Sequence, residues 1–316
     1  MLKNMQIHQD LDRITRIHHP VVTIGTFDGV HLGHQKILNR LGEIAKDIDG
    51  ETVLVSFWPH PRMVLNPDNH NIRLLSTFEE KIDLLNEQGI HHLVSIPFTK
   101  SFSQTSSQQF VEDILIKKIG TEKLVIGYDH RFGRGREGGF EHLKANQDKY
   151  GFELEEISRQ DIDNNGVSST KIRNALETGD LSTAKSFLGR PYELRGIVVK
   201  GQQIGRSIGF PTANISVPHP YKLIPMDGVY VVEVEWEDVR REGVMNIGKR
   251  PTLNGQNQTV EVHVFDFEGN LYGKPLKVYF HQFLRGEKKF ESLESLKSQI
   301  EKDKLAAMSF FNLKPK

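Results

Sequence analysis

The chain changes texture once along its length, and that change limits what it can fold into. Short apolar runs alternate with helix-patterned segments in the first part, whereas after about Gly189 almost every run is β-patterned. The strand candidates of the first part are VVTIG (21–25), VLVSF (53–57), LVSIPF (93–98), KLVIG (123–127) and FELEEI (152–157). Between the first two, Ile37, Leu38, Leu41, Ile44 and Ala45 recur at helical spacing. Ser76 and Glu79 read as an S-x-x-E capping box opening a second helix, which carries Ile82, Leu84 and Leu85 and stops at Gly89. Phe110, Ile114, Leu115 and Ile119 mark a third. The order β-α-β-α-β-α-β implies right-handed crossovers and a parallel, doubly wound, Rossmann-like sheet, with ligands expected beyond the carboxyl ends of its strands.

The second part, with YELRGIVVKG, GVYVVEVEW, REGVMNIG, TVEVHVFDF and KPLKVYFHQF separated by Gly, Pro or Asn turns, reads as an antiparallel β-barrel or sandwich. The tail from Ser292, with Leu293, Leu296, Ile300 and Leu305 set among charges, reads as a closing helix. TGDLSTAKSFLGRPY (178–192) is the expected join. Two domains, 1–185 and 186–316, follow from this pattern, and 316 residues suffice for two cores.

Composition narrows the function. Lys plus Arg and Asp plus Glu both count 41, so no excess positive charge favours nucleic acid. Cysteine is absent, which removes disulfides and thiolate metal sites. No apolar stretch has signal-peptide or membrane-span length, and the expectation is a cytoplasmic protein with small-molecule substrates.

IGTFDGVHLGH (24–34) places three glycines and two histidines where a strand ends and a helix begins. Free backbone N–H groups and the helix dipole favour phosphate there, and Gly29 and Gly33 allow close approach. His31 and His34 stand one turn apart and can donate to phosphate oxygens as charge builds on a departing pyrophosphate. An H-x-x-H pair alone is more often surface histidine or an incidental pair than a catalytic one. Zinc would need a third ligand, and no acid-rich or thiol group stands near.

At this point the sequence becomes recognisable. GTFDGVHLGH resembles the HxGH signature of the nucleotidyltransferase superfamily, in the FDG form of bacterial FAD synthetases. SFWPHP (56–61), IGYDHRFG (126–133) and GVSSTKIR (166–173) follow in family order. The resemblance implies that Gly25, Phe27, His31, Gly33, His34, Asp129, Ser168, Ser169, Thr170 and Arg173 bind ATP, with His31 and His34 catalytic. His130 stands where the family usually has Phe. Arg134 and Arg136, in GRGREGG (133–139), are candidate flavin-phosphate or lid residues, although that segment could be only a flexible turn.

In the second part PTAN (211–214) resembles the magnesium-nucleotide motif of riboflavin kinases, after a segment (198–215) holding Gly201, Gly205 and Gly209. By that resemblance these glycines with Thr212 and Asn214 bind ATP, and Thr212 and Asn214 supply oxygen to Mg2+. MNIGKRPT (245–252) and FLRGEKKF (283–290) are similar to flavin-site segments of the same family, which assigns Asn246, Gly248 and Arg285 to the flavin. TVEVHVFDF (259–267) is similar to the strand bearing the catalytic Glu. Alternation puts Glu261, His263 and Phe265 on one face and Val260, Val262 and Val264 on the other. A carboxylate at Glu261 can take the proton of an attacking hydroxyl, help worth roughly a hundred- to ten-thousandfold.

The resemblance thus implies a bifunctional riboflavin kinase and FMN adenylyltransferase, a prokaryotic FAD synthetase, needing Mg2+ with ATP as co-substrate and handling riboflavin, FMN and FAD as substrates and products. A single-function enzyme and a flavin-sensing module are the alternatives, separated by incubation with riboflavin and labelled ATP.

Overall fold

The computed structural model describes residues 5–68, 72–158, 166–201, 205, 208–252 and 255–313. Of the glycine-rich stretch 198–215, residues 202–204 and 206–207 lie outside the described residues. The chain forms two compact units, Met1–Ser169 and Thr170–Lys316.

The first unit is built on a six-stranded, wholly parallel sheet. Its strands are β1 (Gln6–His8), β2 (Val21–Ile24), β3 (Thr52–Trp58), β4 (His92–Pro97), β5 (Lys123–Gly127) and β6 (Glu153–Ile157), in the order β1-β4-β3-β2-β5-β6. The main helices are α1 (Leu32–Asp47), α2 (Phe78–Glu87) and α3 (Phe110–Ile119). Leu38, Leu41 and Ile44 of α1 and Leu85 of α2 pack with Leu54 and Leu93 on one face. Phe110, Val111 and Leu115 of α3 pack with Val53 and Leu124 on the other. The sheet is therefore covered on both faces, as near-continuous apolar strands require.

Three local features differ from the sequence reading. β1, too short and half-polar to show a period, adds a parallel edge strand against β4. α3 hydrogen-bonds in the wider π-type register, yet its apolar residues still fall on one buried face. The capping box of α2 is one residue later than read: Thr77 Oγ1 accepts from Glu80 N (3.2 Å) and Glu80 Oε2 accepts from Thr77 N (2.8 Å). Ser76 is engaged elsewhere, its N–H on the Asp28 carboxylate (3.1 Å) and its hydroxyl accepting from Gly29 N (3.1 Å).

The second unit is a closed antiparallel barrel of β7 (Tyr192–Val199), β8 (Ala213–Ser216), β9 (Gly228–Trp236), β10 (Val239–Thr252), β11 (Gly255–Val264) and β12 (Pro275–Arg285), ordered β10-β11-β8-β7-β12-β9. Closure removes every open strand edge. Alternation runs as expected: Tyr230, Val232 and Val234, Met245 and Ile247, and Val260 and Val262 are all buried. Among the described residues, three helices of eight residues or more accompany the barrel strands. α4 (Ser169–Glu177) begins on the last residue of the first unit. The stretch expected as a join contains α5 (Leu181–Leu188), capped by Asp180, stopped by Gly189 in the left-handed region and packed on β7 and β12. The closing helix α6 (Leu293–Phe310) starts at its N-cap Ser292. The closing helix is present as expected, and not all of its leucines face inward. Leu293 and Leu305 are exposed, whereas Asp303, Ala307 and Met308 are buried.

Candidate active sites

In the first unit, β2 leads into the turn Gly25–Val30, and His31 is the N-cap of α1, its Nδ1 accepting from His34 N at 3.3 Å. Gly29 has a φ of 80°, and a methyl there would strike the Leu75 side chain, so the turn takes glycine. Asp28 is buried and accepts from the backbone N–H groups of Leu75 (2.9 Å) and Ser76, tying the turn to the strap that precedes α2. The His31 and His34 rings stack with centroids 3.6 Å apart, and Phe27 lies 4.6 Å from His34 on the next side. His34 Nδ1 is buried and without a hydrogen-bond partner. Burial, then the neighbouring His31 and Lys81, hold His34 well below the usual imidazole range. It is therefore neutral at pH 7.

Ser169 reaches this turn, its hydroxyl donating to Asp28 O at 3.1 Å. The first and last motifs of the half-chain, GTFDGVHLGH and GVSSTKIR, thus meet. Ser168 and Thr170 flank Ser169 at the start of α4, and Arg173 follows one turn later on the same helix. Asp129 is exposed on the loop after β5, the neighbour of β2. Beside it burial, then Arg136 and Arg131, press His130 down to about 4. The 133–139 segment is more than a flexible turn: Phe132 bridges Gly138, Arg134 N donates to Thr105 O (2.9 Å) and Glu137 accepts from Ser107 N (2.9 Å). Arg134 and Arg136 themselves are exposed. Lys81, on the buried face of α2, escaped the sequence reading although it touches the turn through Thr26 O.

In the second unit a cavity of about 300 Å³ lies against the β11 face that carries Glu261 and His263, with α6 on its far wall. Thr212, Asn246, Glu261, Arg285 and Gly205 all line it. Glu261 stands between Asn214 of β8 and Asn246 of β10 in the strand register, and Thr212 Oγ1 donates to Glu261 Oε2 at 3.4 Å. Gly201 abuts the Asn214 side chain so closely that a methyl would overlap it. Gly248 lies against Glu287, and Gly209 takes a φ of 90° within the glycine-rich stretch. His263 Nδ1 hydrogen-bonds Pro211 O (2.8 Å), and burial lowers its pKa. Phe265, on the same face, continues into the packing beneath α6 with Val231, Ala307 and Met308.

Arg285 is gripped by Asp303 of α6, Nε on Oδ1 (3.0 Å) and Nη2 on Oδ2 (2.7 Å). Asp303 was not foreseen, although its spacing from Leu296, Ile300 and Ala307 puts it on the inner helical face. Among the described residues no cluster of His, Asp or Glu could hold a metal ion unaided. The Thr212 hydroxyl meets the Glu261 carboxylate (3.4 Å) and Asn214 stands opposite Glu261 in the strand register, and hydroxyl, amide and carboxylate oxygens are the donor types a hard cation takes.

A glycine turn feeding paired imidazoles at a helix start, and a separate barrel gathering hydroxyl, amide and carboxylate oxygens at one cavity, define a two-part enzyme of nucleotide-dependent group transfer. The FAD synthetase family pattern matches residues 14–171 and the riboflavin kinase pattern 188–311. The chain is 40% identical to the bifunctional riboflavin kinase/FMN adenylyltransferase of Escherichia coli strain K12, over 93% of each chain. It is 35% identical to the protein of that description from Bacillus subtilis, over 92% of each. A crystal structure from Streptococcus pneumoniae, described as a macrolide-efflux protein, superposes with a TM-score of 0.87 at 30% identity, covering 96% of this chain and 99% of its own. No described helix here is long and apolar enough to cross a membrane. The chain belongs to the bifunctional riboflavin kinase/FMN adenylyltransferase family.

Proposed function

We propose the following division of labour for the family's two activities. Residues 186–316 transfer the γ-phosphate of ATP to the primary ribityl hydroxyl of riboflavin, giving FMN and ADP. Residues 1–185 join AMP from a second ATP to FMN, giving FAD and pyrophosphate. The observation that carries the reading is the meeting of Thr212, Asn246, Glu261 and Arg285 on one cavity, with Asn214 beside Glu261 in the strand register.

In the barrel, Glu261 takes the proton of the ribityl hydroxyl as its oxygen attacks the γ-phosphorus. Thr212 and Asn214 would hold Mg2+ with the ATP phosphates, and the bound ion would neutralise charge on the transferring group. Gly201, Gly205 and Gly209 let the backbone approach the nucleotide. Asn246, Gly248 and Arg285 face the flavin, and Asp303 fixes the Arg285 guanidinium.

In the first unit a phosphate oxygen of FMN attacks the α-phosphorus of ATP in line. Gly25, Phe27 and Gly33 shape the nucleotide site, and His31 and His34 donate to phosphate oxygens as pyrophosphate leaves. A neutral His34 does so without a preformed charge. Ser168, Ser169, Thr170 and Arg173 hold the remaining phosphates, Asp129 lies near the nucleotide, and Arg134 and Arg136 serve the flavin phosphate. No covalent intermediate is needed, because orientation and charge stabilisation suffice. The partners are small molecules in the cytoplasm, without nucleic acid or membrane.

Incubation with riboflavin and radiolabelled ATP, followed by product chromatography, tests the reading. FMN should appear first and FAD after it. Failure to label either flavin would overturn it.

A further inference from the structure

Lys81 occupies a position where packing alone would place an apolar side chain. It lies three residues after Phe78 and four before Leu85 on the buried face of α2 and is 4% exposed. Burying an ammonium costs free energy unless it is partnered, and lysine is seldom fully buried. Its Nζ donates to Ser56 Oγ (3.0 Å) in β3 and reaches Thr26 O (3.4 Å) in the turn after β2. The rings of Trp58 and Phe78 lie 5.8 and 5.6 Å from the ammonium. Burial lowers its pKa to about 8, with Asp28 of the turn acting in the opposite direction. The charge is felt at His34, where it opposes protonation. One lysine thus joins α2, the end of β3 and the glycine turn, next to the stacked imidazoles.

We propose that Lys81 is a positioning residue for adenylyl transfer: its ammonium, fixed between β3 and the turn after β2, anchors that turn and supplies a buried positive charge behind the His31–His34 pair. The inference rests on the assignment of FMN adenylylation to this turn. Charge moves onto pyrophosphate as it leaves, and a preorganised cation in a water-poor site stabilises it more than one in solvent. The charged and titratable groups facing Lys81 and His34 are Asp28 from the turn and His31 from α1. The neighbouring acid on α2, Glu80, is turned back onto Thr77 N.

The test uses the full chain with Lys81→Gln and Lys81→Met. Gln keeps a donor for Ser56 and Thr26 without the charge, whereas Met keeps only the bulk. Both should lower kcat for FAD formation from supplied FMN by about tenfold or more, with riboflavin phosphorylation in the same molecule within about twofold of wild type. The acid limb of the FAD-forming pH profile should move to higher pH in both, because loss of the ammonium lets His34 protonate more easily. Wild-type turnover in Lys81→Gln, or loss in both variants with the acid limb unmoved, would overturn the proposal and leave a merely structural lysine. A measurement on the unaltered chain guards against variants that do not fold. The lysine Cε signal of Lys81, followed by NMR with added inorganic pyrophosphate, should titrate at higher pH than without it, and an unmoved titration would equally overturn the proposal. If the wild-type chain makes no FAD from FMN, the assignment of the turn fails instead.

Discussion

Removing the carboxylate of Asp303 tests how the closing helix holds the kinase cavity. The Asp303 carboxylate takes one edge of the Arg285 guanidinium, through Nε and Nη2, and the two side chains are only 16% and 7% exposed. The small values typical of surface ion pairs therefore do not apply. Asp303→Ala leaves a guanidinium below the surface with, among the described residues, only the Gly286 carbonyl (3.0 Å) still accepting from it. Truncating one partner of a buried pair costs about 3–5 kcal/mol. The lower end, about 3 kcal/mol, applies here because Arg285 borders a cavity that water can enter. At about 2–4 °C per kcal/mol for a domain near 150 residues, the barrel should melt about 6–12 °C earlier. Differential scanning calorimetry of the full chain reads this, and the KM for riboflavin should rise in parallel as Arg285 loses its fixed direction. Asp303→Leu combined with Arg285→Met should recover much of the melting temperature, since an apolar pair leaves no buried charge. A shift below about 2 °C in Asp303→Ala, or a double variant whose loss equals the sum of the singles, would refute the reasoning.

His31→Ala or His34→Ala should cost about 3–4 kcal/mol of transition-state stabilisation in FAD formation and leave riboflavin phosphorylation near normal. A double variant within about tenfold of wild type would exclude the proposed role. Glu261→Gln should lower riboflavin phosphorylation by about two to four decades with the fold intact, while Thr212→Val and Asn214→Leu should raise the KM for MgATP in that step alone; chromatography starting from riboflavin or from FMN separates the two reactions. His130 titrates at about 4 in the fold against a reference of 6.5, so the unfolded chain binds the extra proton between these values. Stability of the first unit should accordingly fall as pH drops from 6.5 towards 4, and His130→Phe, stacked in the same place on Phe132, should reduce that slope in urea titrations.

Much of the fold was legible because burial imposes a period on the sequence. Both faces of the parallel sheet are covered, so β2, β3, β4 and β5 read as continuous apolar runs, and the barrel strands read as alternation with Glu261 and His263 on the face opposite Val260 and Val262. The motif residues were marked by their resemblance to family segments, and of their contacts only His31 with His34 follows from local spacing, one helical turn. The place of Glu261 between Asn214 and Asn246 came from the strand register of the closed barrel. Sequence spacing could not reach contacts made by elements far apart along the chain. It placed the α2 cap on Ser76, which the fold commits to Asp28 and Gly29. It also passed over Lys81 and Asp303. Both are charged residues set within an apolar helical stripe, Lys81 between Phe78 and Leu85 and Asp303 between Ile300 and Ala307. Such a charge is tolerated only where a partner from another element meets it, Ser56 and Thr26 for the lysine and Arg285 for the aspartate. Local periodicity therefore determined which elements form and which faces they bury, whereas the identity of those partners was decided only when the tertiary structure brought distant strands and turns against the helices.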